Sequence, residues 1–332
     1  MKKYQSTPDK HFLPDYAKVS GDERFIRETV LDGSGDKVVI IGTNADGSTI
    51  TGLTVQNGDD GLSINSDITV VHNRFVDNVD GVSFESSGGL CQYNLFEGNK
   101  DDGIDLDEAS GPTIKNNVIR NNSEDGIEIR LHPYAGSETL NIDIIENEIT
   151  GNLEDGIQLI DYIDPSNRTI TISRNLIQDN AKVGVGCMAY DRATEGEDFQ
   201  GTRFLERIVV TGNTFNGNPY GLTCGGNTVT INNIFANCSG TAVRNVDGDA
   251  IVAFSLFWNN SIDHEGSNMD TNGTNIFSMD PLLGEDGRSL NDRSPAIDKG
   301  ATSFDFLGET VFSAVAGSYN GAAPDIGCFE SD

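Results

Sequence analysis

The sequence predicts an all-β fold, a single-stranded right-handed parallel β-helix with about ten coils of three short strands and a cap at each end. Two observations predict it. From about residue 50 a unit recurs that reads roughly I-x-x-x-N-x-Φ-x-x-N-x-x-D-G-I-x-Φ, where Φ is apolar. Within each unit apolar and polar residues alternate, which is typical of strands. No helix-length amphipathic stretch separates the strands, so a leucine-rich or helical solenoid is excluded.

The first asparagine of each unit marks the length of the coils. These residues are Asn73, Asn94, Asn117, Asn147, Asn175 and Asn213. Their separations are 21, 23, 30, 28 and 38 residues, so the shortest units fit one coil of three strands and the later units carry insertions. Asparagines at matching places predict a hydrogen-bonded ladder along the stack, and the D-G step supplies a residue that tolerates positive φ at the bend.

The two ends of the chain do not carry the repeat. Residues 1–27 are predicted to cap the first coil, residues 28–277 to form the β-helix, and residues 278–332 to form a C-terminal capping segment. The last segment contains MDPLL, SLNDRSPAIDKGA and PDIGCFE, and it resembles the segment that ends many secreted bacterial β-helix proteins. We expect it to cover the open apolar end of the stack and its unpaired strand edge.

The charge balance limits the partners. The chain has 22 Lys and Arg residues against 52 Asp and Glu residues, a formal charge of −30, whereas nucleic acids and anionic membranes need a basic surface. No apolar run is long enough for a transmembrane helix. The N-terminal residues MKKYQSTPDK have no apolar stretch behind them and do not read as a signal peptide. We expect a secreted or cell-surface protein that is a monomer, with a cytosolic location as the alternative.

The five cysteines match no metal motif. Their number is odd, and Cys187 and Cys224 occupy the same place in adjacent repeats, GVGC and GLTC. Because the alternation turns both side chains inward, we interpret them as stacked buried thiols and not as a disulfide or metal ligands.

The repeat is similar to that of the right-handed β-helix, pectate-lyase-like superfamily, over about residues 28–276. The resemblance implies the fold, and a polysaccharide as the class of partner. Some lyases of the superfamily use a Lys or Arg base beside calcium held by Asp residues. The Asp triad and Gly-His-Gly arrangement of the polygalacturonases is absent, and so is the Asp-Pro-His signature of the alginate epimerases, so no catalytic motif transfers residue by residue.

Three insertions mark the predicted working face. They are LHPYAGSETLN at 131–141, DYIDPSNRT at 161–169 and MAYDRATEGEDFQGTRFLER at 188–207. They leave equivalent positions of three adjacent coils, just after the G-I-x-Φ strand, so they should rise together from one sheet edge and wall a groove.

The floor of that groove is predicted from the alternation of the same strand. Asp105 and Asp107 point outward on one coil, and Glu128 and Arg130 point outward on the next. Adjacent strands lie about 4.8 Å apart, so Asp105 should lie beside Glu128 and Asp107 beside Arg130. Carboxylates this close cannot all ionise cheaply, and a protonated acid beside an ionised partner is what glycoside hydrolysis needs. The alternative is an acidic face whose side chains extend into water.

A calcium ion is the other solution to the same crowding. The predicted ligands are Asp102, Asp105, Asp125 and Glu128, and no organic cofactor is expected. Lys182 takes the turn position that Asp101, Glu124 and Glu154 hold in earlier coils, so it is expected to neutralise this acidic row.

The insertions supply further candidates. His132, with Asp105, Asp107, Glu128 and Arg130, completes the predicted catalytic set, because it or a tyrosine could remove the C5 proton of a uronate. The predicted substrate-binding residues are Tyr134, Tyr162, Arg168, Tyr190 and Arg192. Aromatic rings stack on sugar faces, and arginine pairs with carboxylates.

The resulting hypothesis is a carbohydrate-active enzyme that cleaves an acidic polysaccharide in a groove on the side of the β-helix, by β-elimination or by hydrolysis. The alternative is a non-catalytic glycan-binding or cell-surface adhesion protein, which would use the same groove without a tuned carboxylate. A purely structural spacer has no reason to carry three large loops on one face.

Overall fold

The computed structural model describes residues 29–189, 204–223, 225–315 and 317–331, and three long parallel sheets contain all but two of its 32 strands. Sheet 1 contains β1 (Val30–Asp32), β4 (Thr54–Gln56), β7 (Arg74–Val76), β10 (Leu95–Glu97), β13 (Val118–Arg120), β16 (Glu148–Thr150), β19 (Leu176–Gln178), β22 (Thr214–Asn216), β25 (Ile234–Ala236), β28 (Leu256–Trp258) and β30 (Ile276–Phe277).

Sheet 2 contains β2 (Val39–Ile41), β5 (Asp60–Ile64), β8 (Asp80–Glu85), β11 (Ile104–Asp107), β14 (Ile127–Arg130), β17 (Ile157–Asp161), β20 (Val183–Ala189), β23 (Tyr220–Leu222), β26 (Thr241–Arg244) and β29 (Ile262–Glu265). Sheet 3 contains β3 (Thr49–Thr51), β6 (Ile68–Val71), β9 (Gly88–Gln92), β12 (Gly111–Lys115), β15 (Leu140–Ile145), β18 (Arg168–Ser173), β21 (Arg207–Thr211), β24 (Thr228–Ile231) and β27 (Ile251–Ala253). The two remaining strands, β31 (Ser303–Phe306) and β32 (Glu309–Ser313), form an antiparallel hairpin.

Each coil contributes one strand to each sheet in turn, and every strand pairs in parallel with its counterparts in the neighbouring coils. The sheets have 11, 10 and 9 strands, so the predicted parallel β-helix of about ten three-strand coils is confirmed. No helix occurs among the residues that the structure describes.

The core is one narrow apolar column along the axis, because alternate side chains of all three sheets point inward. Like residues stack on like residues from coil to coil. The rings of Phe215, Phe235, Phe257 and Phe277 form one such row, with centroids 4.7, 5.2 and 5.1 Å apart. A row of this kind buries large apolar surface without any change of packing between coils.

The predicted asparagine ladder is confirmed, and it is double. In one row the backbone N–H of Asn94 donates to Oδ1 of Asn117 at 2.9 Å, and the same bond repeats from coil to coil between Asn73 and Asn233. The second asparagine of each unit forms a parallel row between Asn78 and Asn218. These buried amides satisfy backbone groups at the bends that no strand can pair.

The interpretation of Cys187 as a free thiol is wrong, because Cys187 is disulfide-bonded. Cys91, Cys238 and Cys328 are free, and Cys224 lies outside the described residues. The inward direction of Cys187 was predicted correctly, since its side chain is fully buried.

The C-terminal segment packs along the flank of the stack and not over its end. Its hairpin places Phe304, Phe306 and Phe312 on the outward side of sheet 3, against Val229 and Ile231. Its later part bonds to sheet 1 and the adjacent bend, where the N–H of Cys328 donates to Thr214 Oγ1 at 3.1 Å. The predicted end cap is therefore corrected, and at the end of the stack Ile262 and Phe277 remain 48% and 41% exposed.

The sequence of β24 explains this placement. It reads Thr228-Val229-Thr230-Ile231, and Thr230 pairs in register with the inward-facing Val210. Val229 and Ile231 therefore point outward, where two adjacent apolar side chains require a cover. The hairpin of the C-terminal segment supplies that cover.

Candidate functional site

The outward face of sheet 2 carries the predicted floor. Asp105 pairs in register with Ser83 on one side and Glu128 on the other, and Glu128 pairs with Gln158. The inward neighbours Ile104 and Ile127 are fully buried. The inward and outward phase predicted for these strands is therefore confirmed.

Three carboxylates meet on this face. One carboxylate oxygen from each of Asp102, Asp105 and Glu128 lies within 4.8 Å of the other two. We call these three residues the carboxylate trio. Asp125, the fourth predicted ligand, is not part of this close group, and its Oδ1 accepts a hydrogen bond from the backbone N–H of Asp155 at 2.7 Å.

Asp102 and Asp105 are buried and Glu128 is half-buried, although the face points outward. Asp105 is 8% exposed and Asp102 is 5% exposed, and Oδ1 of Asp105 has no hydrogen-bond partner. Burial, followed by the nearby charges of Asp107 and Glu128, raises the pKa of Asp105 well above its usual range. Burial, then Asp125 and Glu128, raises the pKa of Asp102 in the same way. The trio therefore retains protons at a pH where exposed carboxyls have lost theirs.

Arg130 opposes proton retention by one member of the trio, Glu128. Its Nη2 lies 2.5 Å from Glu128 Oε1, and its Nε lies 3.5 Å from Asp107 Oδ1. Burial raises the pKa of Glu128, while the charge of Arg130 and its hydrogen bond lower it. Burial still leaves the pKa of Glu128 raised, but Arg130 favours the anion of Glu128 over those of the other two members. Protons are therefore favoured on Asp102 and Asp105 before Glu128.

Asp80 belongs to the same crowded face and was missed by the sequence reasoning. Its Oδ1 accepts a hydrogen bond from the N–H of Asp102 at 3.1 Å, and burial raises its pKa to about 7. It occupies the same D-G position as Asp102 and Asp125 in the preceding coil, so the repeat itself carried the signal.

His132 lies at the edge of the floor, on the first insertion. The backbone N–H of Glu108 can only donate, so Nδ1 of His132 accepts it at 3.2 Å, and the proton of the neutral ring lies on Nε2. That nitrogen lies 2.7 Å from Tyr162 Oη and 3.9 Å from Asp107 Oδ1. His132 and Tyr162 are therefore brought together beside the carboxylates, as the insertions predicted.

Arg168 has a different position from the one predicted. It is 4% exposed, and its guanidinium donates to the carbonyl oxygens of His132, at 2.6 Å, and Glu108. It also lies over the ring of Tyr134, 5.9 Å from the centroid. Since these bonds use the guanidinium to join two loops, Arg168 positions the insertion and is not placed to contact a substrate.

The first two insertions are joined as neighbours. Tyr134 and Ser166 form a parallel bridge, and the N–H of Asn167 donates to the carbonyl oxygen of Tyr134 at 3.0 Å. Tyr190 and Arg192 of the third insertion lie outside the described residues. Lys182 lies 2.7 Å from Glu154, the member of the acidic turn row in the preceding coil.

Residues 17–197, more than half of the chain, match the family described as periplasmic copper-binding protein (NosD). The chain belongs to the NosD family. A search of curated proteins found no match. Among solved structures, the NosD-family chain is similar to the crystal structure of pectate lyase Pel9A, with a TM-score of 0.54 and 15% identity, covering 91% of this chain and 84% of that one. At this identity the likeness shows the fold alone, and the fold confirms the pectate-lyase-like resemblance.

The calcium prediction is wrong. The matching NosD family is described as copper-binding, so the family gives no support to calcium. Crowded carboxylates in the sequence suggested a hard cation, but crowding is also relieved by retained protons, which the burial of Asp105 and Asp102 favours here.

The NosD family is described as periplasmic, which agrees with the coarse prediction of a protein that acts outside the cytosol. Within the described part of the chain, no helix is long and apolar enough to cross a membrane.

Proposed function

We propose that this NosD-family chain is an exported carbohydrate-active enzyme that hydrolyses a polysaccharide on the outward face of sheet 2. The observation that supports it is Asp105, a buried carboxyl with an unpartnered oxygen and a raised pKa, beside a second carboxyl, Glu128, that an arginine holds. A proton-holding acid next to an ionised partner is the pair that glycoside hydrolysis requires.

In this proposal Asp105 is the general acid. It donates its proton to the glycosidic oxygen as the bond to the leaving sugar breaks, and a water molecule then bonds to the anomeric carbon and returns a proton to Asp105. Glu128 is the ionised partner that stabilises the positive charge developing on the sugar ring, and the charge of Arg130 favours this anionic form.

Hydrolysis is favoured over β-elimination by the state of Arg130. Elimination from a uronate needs a cation that neutralises the substrate carboxylate and a base at C5. Arg130 contacts both Glu128 and Asp107, so its charge is already compensated. His132 is held by Glu108 and Tyr162, which makes it a better candidate for a hydrogen bond to a sugar hydroxyl than for the C5 base.

The family description raises copper for this chain, and the described residues do not fit it. Copper prefers imidazole, thiolate and thioether donors, whereas the one close group of three donors found among the described His, Cys, Asp and Glu residues is the carboxylate trio. His72 stacks on Tyr93 and Cys187 is disulfide-bonded. No step of the proposed reaction therefore uses copper.

The test is a polysaccharide panel read both by new reducing ends and by the absorbance of unsaturated uronates. We expect new reducing ends without unsaturated products. Asp105→Asn should lower the rate by at least about 100-fold, the usual contribution of a general acid. The matched control is Glu97→Gln, which removes a carboxylate paired with Arg74 and Arg120 on sheet 1 and should leave the rate unchanged.

Two outcomes would contradict the proposal. Unsaturated products would show β-elimination and would transfer the chemical step to His132 or a tyrosine. No product from any polysaccharide, together with binding that Asp105→Asn does not change, would support the alternative of a non-catalytic glycan-binding protein.

A further inference from the structure

A second cleft lies between sheet 1 and the C-terminal segment, and its lining includes no residue of sheet 2. Its volume is about 940 Å³, and it is lined by Trp258, Asn216 and Gln178 on one wall and by residues 280–293 on the other. This size is in the range of ligand sites, and none of its lining residues takes part in the proposed hydrolysis.

The first wall is one outward column of sheet 1. Gln178 pairs with Asn216, Asn216 with Ala236 and Ala236 with Trp258, so the four side chains follow one another along the stack at the strand spacing of about 4.8 Å. Trp258 is half-buried, because one part of its ring packs on an apolar cluster that includes Leu256 and Ile326. The indole is thereby fixed in position with the rest of its surface open to the cleft.

A chain of amides follows the same wall. Nδ2 of Asn259 donates to Asn237 Oδ1 at 2.7 Å, Nδ2 of Asn237 donates to Asn216 Oδ1 at 2.7 Å, and Nδ2 of Asn216 donates to Gln178 Oε1 at 3.2 Å. A side-chain amide has two N–H groups, and each of these bonds uses one. The row therefore offers regularly spaced donors and acceptors that are polarised in one direction.

The second wall is held rigidly in place. Leu283 and Leu290 form an antiparallel bridge and pack against the same apolar cluster as Trp258. Ser294 Oγ donates to the carbonyl oxygen of Pro281 at 2.6 Å. Since both walls are anchored by packing and hydrogen bonds, the cleft exists before any ligand binds.

We propose that this cleft binds a neutral oligosaccharide, with Trp258 stacking on one sugar ring and the amide row of Gln178, Asn216 and Asn237 bonding to successive hydroxyls. A fixed aromatic ring beside regularly spaced amides suits a linear ligand with a repeated hydroxyl pattern. The charged residues of the lining are mostly acidic, Asp280, Glu285 and Asp292 against Arg293, which disfavours an anionic sugar. The proposal is independent of the hydrolysis on sheet 2.

Trp258 makes the test direct, because it is the single tryptophan of the chain and its fluorescence reports on this cleft alone. The probes are hexasaccharides of glucose, mannose and xylose, with hexagalacturonate as the anionic comparison. We expect a saturable change in emission with at least one neutral probe and none with hexagalacturonate. Asp105→Asn should give the same titration as the wild type, which separates this site from the one on sheet 2.

Calorimetry on variants completes the test. Asn216→Ala should weaken the binding by roughly five- to tenfold without a change in melting temperature. Trp258→Ala should abolish the binding. Trp258→Phe keeps an aromatic ring and should retain part of the binding, and it replaces the alanine variant as the test if that variant folds poorly. Two outcomes would overturn the proposal. One is an unchanged emission with every neutral probe at millimolar concentration, and the other is wild-type affinity in all three variants, Asn216→Ala, Trp258→Phe and Trp258→Ala.

Discussion

Sheet 1 and sheet 2 share one scaffold, one strand spacing and one coil-to-coil register, but they treat outward charge in opposite ways. On sheet 1, Glu97 lies between Arg74 and Arg120, at 3.3 and 2.8 Å. On sheet 2, Asp102, Asp105 and Glu128 crowd together, and Arg130 contacts the last of them. Stacking therefore does not force like charges together, since the same fold alternates acid and base one sheet away.

This difference indicates that the acidic face of sheet 2 has a purpose other than holding the coils together. Interleaved arginines would have been available to the same positions, as sheet 1 demonstrates, and would have removed the repulsion. A group of buried carboxyls that is left crowded is a feature of sites where proton affinity is used.

The largest expected effect comes from moving a charge from the outward to the inward side of β11. Ile104 is fully buried in the axial core, and Ile104→Asp should lower the free energy of unfolding by about 3 kcal/mol or more, because an unpaired charge would be buried. Urea unfolding measures it, with Asp105→Asn on the same strand as the control. A loss below about 1 kcal/mol would show that the inward and outward phase of this strand is wrong.

The phase of the strands was predictable because a period of two leaves only two choices for each strand, and the apolar residues Ile104 and Leu106 select one of them. The neighbours Asp105 and Glu128 followed directly from the period of the repeat. The burial of Asp105 was not predictable, since an outward residue normally meets water and only its surroundings show otherwise. The position of Arg168 was missed for a similar reason, because loop pairing between 131–141 and 161–169 follows from no periodicity.

The position of the C-terminal segment was also not predictable from the sequence. Its apolar residues predict that it packs on another surface, and the outward Val229 and Ile231 require one that covers them, but neither pattern identifies the other as its partner. Cys187 is a related case, because its inward direction was predicted correctly and its disulfide was not. Contacts set by the repeat were predictable, and contacts between the repeat and segments outside it were not.

The next effect is the pH dependence of stability. A carboxyl with a raised folded-state pKa binds more protons in the folded than in the unfolded chain, so its contribution is present at acidic pH and is lost as the pH rises through the folded-state value. For Asp80 that window runs from its usual range near 4 up to about 7. The wild type should therefore lose stability between about pH 4 and about pH 7, and Asp80 should account for on the order of 3 kcal/mol of this loss.

Asp80→Asn measures this contribution, because asparagine does not titrate and keeps an oxygen for the N–H of Asp102. Thermal unfolding at several pH values should show a flatter profile for the variant, with the gain concentrated above about pH 7. Parallel profiles for the variant and the wild type would mean that Asp80 is not a proton-holding member of the sheet 2 face.

The smallest expected change in the free energy of unfolding comes from neutralising one carboxylate on each of the two sheets, which compares them directly. Glu97→Gln removes a partly exposed ion pair, so it should lower the free energy of unfolding by at most about 1 kcal/mol. Asp105→Asn should instead raise it at about pH 8, because a buried carboxyl that is repelled by Asp107 and Glu128 is replaced by a neutral group. Changes of opposite sign in the free energy of unfolding would establish that charge interactions stabilise the fold at Glu97 on sheet 1 and destabilise it at Asp105 on sheet 2. A loss of stability in both variants would mean that the crowded carboxyls of sheet 2 are stabilised by a partner that neutralises them, and the assignment of a retained proton to Asp105 would then fail.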